Sequence, residues 1–520
     1  ATKLDWLPAI EKEYGVSGGG FYQARKYKNG NYVFKYLGGV SLLELPFFLL
    51  GHLLAKALAF PADGFSPPYQ YSLAFGVIFY NILSLFLLRF LLLRYFKDSC
   101  VAIGLGLLYL ATNLLQYISV NGSLSHAFIL PLYVLVIYTT MQWHERPSLK
   151  WAFLTGLIIG LATICRPTEA IMLFIPLLWD THTKEAARIK WAKVSNHIKQ
   201  VGAIILGGFL GVLPQLIYWK SVTGSLVYNV GSKWQFLNPN FQVLYGFTNG
   251  WFIYTPITIF FVLGLWHIKR FPFRRAFITF CLLNIWIITA WSDWRYGASF
   301  STRALVQSYP VFAFPFIALI EQIDHTKFRI GFYILGLYLI GLNLFQTWQY
   351  NTGVLHYRDM NLRYYSHIYL NPTPTALDMS LLDTDEYLYH PESFTKRILF
   401  KQKEELAVDL PRDSIGIIWQ GIPSDIAVSN TDQWLKITAE ILPEKGYYGA
   451  HLICTTNGKD GSKQRSVRLN HPLAETGQVN QYAFYFKLPS EGQLQDIRLT
   501  LQSPSAFQGV LKKGEVVLLY

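Results

Sequence analysis

Long apolar runs alternate with short polar segments over roughly the first 350 residues of the chain. A helix needs about 20 apolar residues to cross the hydrocarbon core of a bilayer. About ten runs reach or approach that length, at residues 71–93, 100–118, 124–142, 151–165, 168–179, 201–219, 252–268, 276–291, 304–321 and 328–348. This pattern predicts a polytopic α-helical membrane protein.

Basic residues divide the loops between these runs into two sets. If the first span ends in the cytoplasm, that side collects most of the lysines and arginines: Arg89, Arg94, Lys97, Arg146, Lys150, Lys184, Arg188, Lys190, Lys193, Lys199, Lys269, Arg270, Arg274, Arg275, Lys327 and Arg329. The other loops hold Lys220, Lys233, Arg295 and Arg303. Because basic residues favour cytoplasmic loops, residues 1–70, 220–250, 292–303 and 350–520 are predicted to be extracytoplasmic.

An earlier apolar run, residues 38–60, is interrupted by Glu44, Pro46, His52 and Lys56. Charged side chains suit the membrane interface better than the bilayer core. We therefore predict an interfacial or re-entrant helix on the outer side for this run.

The last part of the chain follows a different period. Apolar residues alternate with polar ones at Leu435, Ile437, Ala439 and Ile441, at Tyr482, Phe484 and Phe486, and at Ile497, Leu499 and Leu501. A period of two predicts half-buried strands. We predict a β-sandwich, jelly-roll-like, over 411–520.

The chain therefore divides into four predicted segments. Residues 1–70 form a first extracytoplasmic loop with its interfacial helix, and 71–349 form the transmembrane domain. Residues 350–410 form an extracytoplasmic connector, and 411–520 form the β-rich domain.

Composition narrows the class of function. Of the 520 residues, 52% are hydrophobic and only 15% are charged, against about 25% charged in typical soluble domains. The net charge of +13 is explained by cytoplasmic anchors, so we expect a bilayer and no nucleic acid as partner. The sequence shows no metal-ligand spacing, P-loop or dinucleotide fingerprint, and we expect neither a metal nor a cofactor.

Ionisable residues near the membrane on the outer side are the candidate chemistry. Lys35 could hold a lipid phosphate or be an ordinary surface lysine. The segment from Trp291 to Arg303 concentrates two arginines among aromatic residues. Guanidinium groups match phosphate oxygens, although an internal pair of Asp293 with Arg295 or Arg303 would also explain these charges.

Two more outer segments carry candidate residues. Arg166-Pro-Thr-Glu169 lies at a hairpin between runs, where a structural salt bridge is the expected role. His126, at the start of another run, could contact substrate or simply be a satisfied histidine at a helix end.

Taken in order, these segments resemble bacterial membrane glycosyltransferases of the GT-C superfamily. The resemblance is to the protein-mannosyltransferase group (family 39) and the aminoarabinose transferases of lipid A. It covers about residues 20–350 and includes two further stretches, Leu45-Pro46-Phe47-Phe48 and Gly250-Trp-Phe-Ile-Tyr-Thr-Pro256.

The resemblance implies a sugar donor carried on polyprenyl phosphate, an outer-face site and inverting transfer without a tightly linked metal. Lys35, Tyr36, Arg295 and Arg303 would bind the donor phosphate, and His126, Trp294 and Tyr296 would contact substrate. The family's catalytic carboxylate follows a first spanning helix, for which the sequence shows no counterpart before Lys35. Three alternatives stay open: Asp5 is the base, the base lies upstream of Ala1, or this chain has none.

Two weaker substitutes for that carboxylate are Asp63 and Glu44. The resemblance thus implies a polyprenyl-phosphate-dependent glycosyltransferase of the bacterial cytoplasmic membrane, acting on a hydroxyl of a glycan, lipid or protein. The alternative is a catalytically silent relative that serves as a structural or assembly subunit of a membrane complex.

Overall fold

The computed structural model describes residues 6–15, 23–229, 231, 233–421, 432–458, 461–471, 473–489 and 494–520. The chain divides into two compact units, Ala1–Leu344 and Phe345–Tyr520. The first unit is mainly helical, and the second is mainly β-sheet. The assignment of the chain to four functional segments stays a prediction.

The helices are, in chain order, α1 Leu7–Tyr14, α2 Gly39–Ala57, α3 Pro67–Leu92, α4 Asp98–Leu110, α5 Ser125–Glu145, α6 Leu149–Cys165, α7 Phe174–Leu178, α8 Lys184–Asn196, α9 Ile198–Thr223, α10 Gln242–Tyr245, α11 Trp251–Tyr254, α12 Thr258–Gly264, α13 Arg274–Thr289, α14 Tyr309–Asp324, α15 Arg329–Asn351, α16 Leu362–Ile368 and α17 Ala376–Ser380. A π-helical turn covers Gln116–Val120, and 3₁₀ helices cover Pro167–Leu173, Arg303–Ser308 and Pro391–Ser393.

The strands are β1 Ala24–Lys26, β2 Tyr32–Phe34, β3 Lys396–Lys401, β4 Leu406–Leu410, β5 Ser414–Gly421, β6 Trp434–Lys445, β7 His451–Gly458, β8 Gly461–Arg468, β9 Asn480–Lys487, β10 Leu494–Ser503 and β11 Phe507–Leu519. β1 and β2 form an antiparallel hairpin in the first unit. The other strands belong to the second unit, which confirms the prediction of β-sheet at the end of the chain.

Two antiparallel sheets make up the second unit. One has the order β5-β10-β7-β8, and the other has the order β3-β11-β6-β9, with β4 also paired to β11. Inward residues of both sheets join one hydrophobic cluster, with Ile437 and Phe484 from one sheet and Leu452 and Leu499 from the other. Alternation therefore buries one face of each sheet against its partner, and the strand order is that of a jelly roll.

The sheet begins earlier than residue 411, because β3 and β4 both pair with β11. Part of the segment predicted as a connector also packs on the other sheet, against β8. Arg468 at the end of β8 donates from Nε to Asp383 Oδ1 at 2.7 Å and from Nη1 to Asp359 Oδ2 at 2.9 Å. These charge-assisted bonds fix the helical segment before β3 to strand β8.

Among the described residues, six helices are long and apolar enough to cross a membrane: Gly39–Ala57, Pro67–Leu92, Ser125–Glu145, Ile198–Thr223, Arg303–Asp324 and Arg329–Asn351. They confirm the helical, membrane-like character predicted for this part of the chain. Shorter apolar helices cover Asp98–Leu110, Leu149–Cys165 and Pro167–Leu178. The figure of about ten spans stays a prediction.

The run predicted as an interfacial or re-entrant helix forms one continuous helix, α2, of whose residues few are buried within the protein. Its position at the interface stays a prediction. Another apolar run differs from its sequence-based interpretation. The run 252–268 is split into α11 and α12, because Pro256 cannot supply a backbone donor to a continuous helix.

The segment Arg303–Asp324 is the centre of the helical unit. Its apolar window is 94% buried, so neighbouring helices enclose it almost completely. Aromatic rings fill the space beside it, with Phe273 5.0 Å and Phe277 5.1 Å from Phe314 between ring centroids. The middle of this segment therefore stands in a rigid, apolar setting.

Glycines hold α6 and α9 together. A Cβ atom added to Gly160 would collide with the backbone carbonyl of Gly208 and lie 3.0 Å from Cα of Gly211. Gly156 meets the carbonyl of Ile204 in the same way. This small-residue spacing lets the two backbones approach closely, which is how helices associate in membranes.

We expect Gly160→Ala to destabilise the helical unit by about 1–3 kcal/mol, because the added methyl group forces the two helices apart. Gly202→Ala is the matched control, since no atom of the described residues lies within 4 Å of a Cβ atom there. Thermal unfolding of the full chain in detergent measures both. Equal melting temperatures for the two variants would contradict the packing described here.

Candidate functional site

Arg166 is positioned by the proline that follows it. Pro167 disfavours helical backbone at the preceding residue, and Arg166 is extended, with φ −151° and ψ 126°. α6 therefore ends at Cys165, and a 3₁₀ helix begins at Pro167. This turn directs Arg166 and Glu169 away from the helix axis of α6.

A buried polar cluster surrounds Glu169, which is 2% exposed. Its Oε1 accepts from Gln307 Nε2 at 3.1 Å and from the Thr168 hydroxyl at 3.3 Å, and Tyr133 donates its hydroxyl to Oε2. The other end of the Gln307 amide, Oε1, lies 2.8 Å from Nδ1 of His126. The cluster thus unites two of the predicted motif segments.

Arg166 extends the cluster towards its edge. One guanidinium nitrogen lies 3.4 Å from Nδ1 of His126. No ion pair joins Arg166 to Glu169 among the described residues, so the structural salt bridge expected at this turn is wrong. Three neutral donors satisfy the carboxylate instead.

The segment 291–303 packs over the same cluster through Tyr117. The Tyr117 hydroxyl accepts from the Phe300 amide at 2.8 Å and donates to the Phe300 carbonyl at 3.2 Å. The Tyr117 ring lies 5.8 Å from that of His126. Contacts on both sides of Tyr117 therefore place this loop next to His126.

The loop itself holds an unusual backbone. Tyr296 and Ser301 have φ of 54° and 55°, in the left-handed region that residues with a side chain rarely adopt. Tyr296 is held by a hydrogen bond from its hydroxyl to the Ile288 carbonyl at 2.6 Å. Strain of this kind persists only where surrounding contacts impose it, and it is common at functional sites.

Arg295 and Arg303 differ in their settings. Arg303 Nη1 donates to the Ala298 carbonyl at 3.2 Å, and the Arg295 guanidinium lies 5.4 Å from the ring centre of Trp294. Neither arginine forms an ion pair with Asp293 in the described part of the chain. The internal pair considered for this loop is therefore absent there.

Charges from two motif segments act on Tyr296. Burial raises the pKa of its hydroxyl, and the positive charges of Arg166 and Arg303 oppose that rise. Arg166 and Arg303 also act electrostatically on His126. The guanidinium groups of Arg166 and Arg303 are therefore close enough to influence the same side chain, although they lie far apart in sequence.

Lys35 and Tyr36 follow the β1–β2 hairpin, which is anchored to the end of α9. Asn31 Nδ2 donates to the Val222 carbonyl at 2.9 Å, and the Tyr218 hydroxyl accepts from the Phe34 amide at 3.0 Å. Both Lys35 and Tyr36 are exposed, with the Lys35 ammonium 5.7 Å from the Tyr36 ring centre.

The start of α2 brings the hairpin to the same end of the helical unit as Arg166. A Cβ atom at Gly39 would collide with the backbone at Cys165, the residue before Arg166. The phosphate-binding and substrate-binding roles of Lys35, Tyr36, Arg295, Arg303, His126, Trp294 and Tyr296 stay predictions.

The candidate carboxylates divide into three cases. Asp5 lies outside the described residues. Asp63 Oδ1 accepts from the amides of Phe65 and Ser66 at 2.8 and 2.9 Å, which lowers the pKa of the Asp63 carboxyl. Glu44 is half-buried on α2. Asp63 is thus engaged at the start of α3 and is a poor proton acceptor.

Sequence reasoning missed Gln307, Tyr133 and Tyr117. All three lie inside or beside apolar runs, where their positions relative to one another cannot be inferred from spacing. A usable signal was the presence of an amide, Gln307, in an otherwise apolar membrane-length run.

Comparison with known proteins gives little. No protein-family model and no curated protein matches the chain. Among solved structures, arabinosyltransferase EmbB from Mycobacterium smegmatis aligns at 9% identity over 84% of this chain and 57% of its own, with a TM-score of 0.30. The infectious bursal disease virus Gx strain aligns at 14% identity over 24% of this chain and 32% of its own, with a TM-score of 0.19.

The chain thus spans less than two thirds of either matched structure. TM-scores this low establish no shared fold.

We expect Tyr117→Phe to loosen the loop 291–303, because it removes the hydroxyl that accepts from the buried Phe300 amide, at a cost of about 1–3 kcal/mol. Hydrogen exchange at the Phe300 amide should accelerate accordingly. Tyr109→Phe is the control, since among the residues that the structure describes that hydroxyl bonds only an exposed partner, Ser119. Unchanged exchange at Phe300 in the Tyr117 variant would show that the loop is held by other contacts.

Proposed function

We propose that this protein is an integral membrane glycosyltransferase of GT-C type that moves a sugar from a polyprenyl-phosphate donor to an acceptor hydroxyl. The observation that carries the proposal is the meeting of His126, Arg166 and the loop 291–303 at one end of the helical unit. These segments also carry the resemblance to family 39 and the aminoarabinose transferases. The acceptor is a glycan, lipid or protein hydroxyl.

The arginines suit a phosphate leaving group. Arg166, Arg295 and Arg303 form no ion pair with any carboxylate in the described ranges, so their charge is open to an anionic ligand. Guanidinium groups bind phosphate oxygens through paired hydrogen bonds. In the reaction, such groups stabilise the negative charge that develops on the departing lipid phosphate.

A lipid-linked donor also fits the surface beside the site. α2 starts next to Cys165 and exposes Leu42, Leu45, Leu49 and Leu53 along its length. An apolar polyprenyl chain can lie on such a face while its phosphate reaches the arginines. The bilayer is the natural partner of the same face.

Basic residues at the opposite end of the helical unit support an extracytoplasmic position for the site. There Arg94 pairs with Glu145, Arg270 pairs with Glu321 at 3.4 Å, and α13 begins with Arg274. The positive-inside rule assigns this basic end to the cytoplasm. The site and residues after 350 are then extracytoplasmic, in the periplasm if the membrane is the bacterial inner membrane.

We expect Arg303→Gln to weaken binding of undecaprenyl phosphate by about 10- to 100-fold, since charge-assisted hydrogen bonds contribute about 1.5–3 kcal/mol. Binding to the full chain in nanodiscs is measured by intrinsic tryptophan fluorescence. Arg275→Gln, an exposed arginine near the far end of α13, should bind as the wild type does.

Equal affinity in the Arg303 and Arg275 variants would refute the phosphate site. No binding by the wild-type protein would favour the silent structural subunit over the enzyme.

We expect Ser292→Cys to react with a membrane-impermeant maleimide on intact spheroplasts, and Lys327→Cys to react only after lysis. Both positions are exposed, and the four native cysteines are buried, so background labelling should be low. The reverse pattern would place the site on the cytoplasmic side.

A further inference from the structure

The orientation of the Gln307 amide is fixed by its neighbours. The side-chain oxygens of Glu169 accept hydrogen bonds from Tyr133 and Thr168 as well as from Nε2 of Gln307. A carboxylate only accepts, so the NH₂ of Gln307 must face Glu169. Its carbonyl oxygen then faces His126.

That orientation fixes the tautomer of His126. Nδ1 of His126 faces the Gln307 carbonyl oxygen, an acceptor, at 2.8 Å and the Arg166 guanidinium, a donor, at 3.4 Å. The shorter contact assigns the proton to Nδ1. The neutral imidazole then has its lone pair on Nε2. No described residue hydrogen-bonds Nε2, although His126 is only 5% exposed.

The charged groups around the imidazole favour this neutral form. The positively charged Arg166 guanidinium lies 3.4 Å from Nδ1, and like charges repel. Glu169 is separated from the ring by Gln307, and Tyr133 donates to Glu169. An unprotonated nitrogen is thereby kept on an imidazole ring that contacts Arg166.

The described carboxylates nearby are less suited to accept a proton. Glu169 is buried and already accepts three hydrogen bonds. Asp293 is exposed and belongs to the loop that carries the arginines. His126 combines a fixed orientation with an open lone pair, which is the geometry of a general base.

We propose that His126 Nε2 is the general base of the transfer, and that Gln307 and Glu169 are positioning residues that set its tautomer. This inference rests on the proposed function. The acceptor hydroxyl gives its proton to Nε2 while its oxygen bonds to the anomeric carbon of the sugar. The bond from that carbon to the phosphate oxygen breaks, and its electron pair stays on the lipid phosphate.

The charges balance within the site. The departing phosphate gains one negative charge beside Arg166 and Arg303 while the imidazole gains one positive charge. The new negative charge offsets the repulsion that the arginines exert on the imidazolium. The imidazolium then returns its proton to water, which restores the enzyme.

The test uses His126→Asn in the full chain. The asparagine amide can donate to Gln307 as Nδ1 does, but it has no counterpart of Nε2. The assay is release of undecaprenyl phosphate from undecaprenyl-phosphate mannose, glucose and aminoarabinose in turn, with octyl glycosides as acceptors. We expect undecaprenyl phosphate affinity within about twofold of wild type and kcat lowered by about 100-fold or more.

Asp293→Asn is the matched comparison and should keep kcat within about threefold of wild type. Transfer by the His126 variant within about threefold of wild type, or loss of transfer in the Asp293 variant alone, would overturn the inference and leave the proposed function standing. Absence of release by wild type from all three donors would overturn both.

A second measurement reads the tautomer itself. Nitrogen-15 NMR of histidine-labelled protein, with the His126 signals identified by their loss in His126→Asn, should show a protonated Nδ1 and a bare Nε2. Glu169→Gln frees the Gln307 amide to turn over, so protonated Nε2 should appear and kcat should fall with little change in KM. A protonated Nε2 in the wild-type protein would overturn the inference whatever the activity.

Discussion

A carboxylate buried among apolar helices sets the constraint on which the geometry of the site depends. Glu169 is nearly inaccessible and has no ion-pair partner among the described residues. An uncompensated buried charge lowers the stability of a protein by several kcal/mol. The carboxylate oxygens of Glu169 must therefore accept hydrogen bonds. The donors come from α5, from the 3₁₀ helix at Arg303–Ser308 and from the turn that contains Glu169. The hydrogen bonds to Glu169 therefore join three segments that are distant in sequence.

This arrangement leaves the positive charges of the site available. Glu169 accepts hydrogen bonds from Tyr133, Gln307 and Thr168. Arg166 therefore does not form an ion pair with it among the described residues. The loop 291–303 is fixed through backbone bonds to Tyr117 and not through ion pairs of its arginines. Neutral groups therefore hold the loop and the turn in place, and the arginines keep their charge for an anionic ligand.

The sequence predicted elements whose signal is local. Period-two alternation found β6, β9 and β10, and apolar length found the candidate spans. Pro167 marks the end of α6, and the charges of the 291–303 loop stand out by composition alone. By contrast, Gln307 and Tyr133 acquire meaning only through partners more than 30 residues away. β3 and β4 were missed because their residues are largely exposed and lack clear alternation.

The central claim is that the end of the helical unit bearing Arg166, Arg303 and His126 holds a lipid phosphate. A cryo-EM map of the full chain in nanodiscs with undecaprenyl phosphate tests it most directly. The account predicts phosphate density within hydrogen-bond distance of Arg166 and Arg303. Density at the basic end, beside Arg94 or Arg270, or none at saturating ligand, would contradict it.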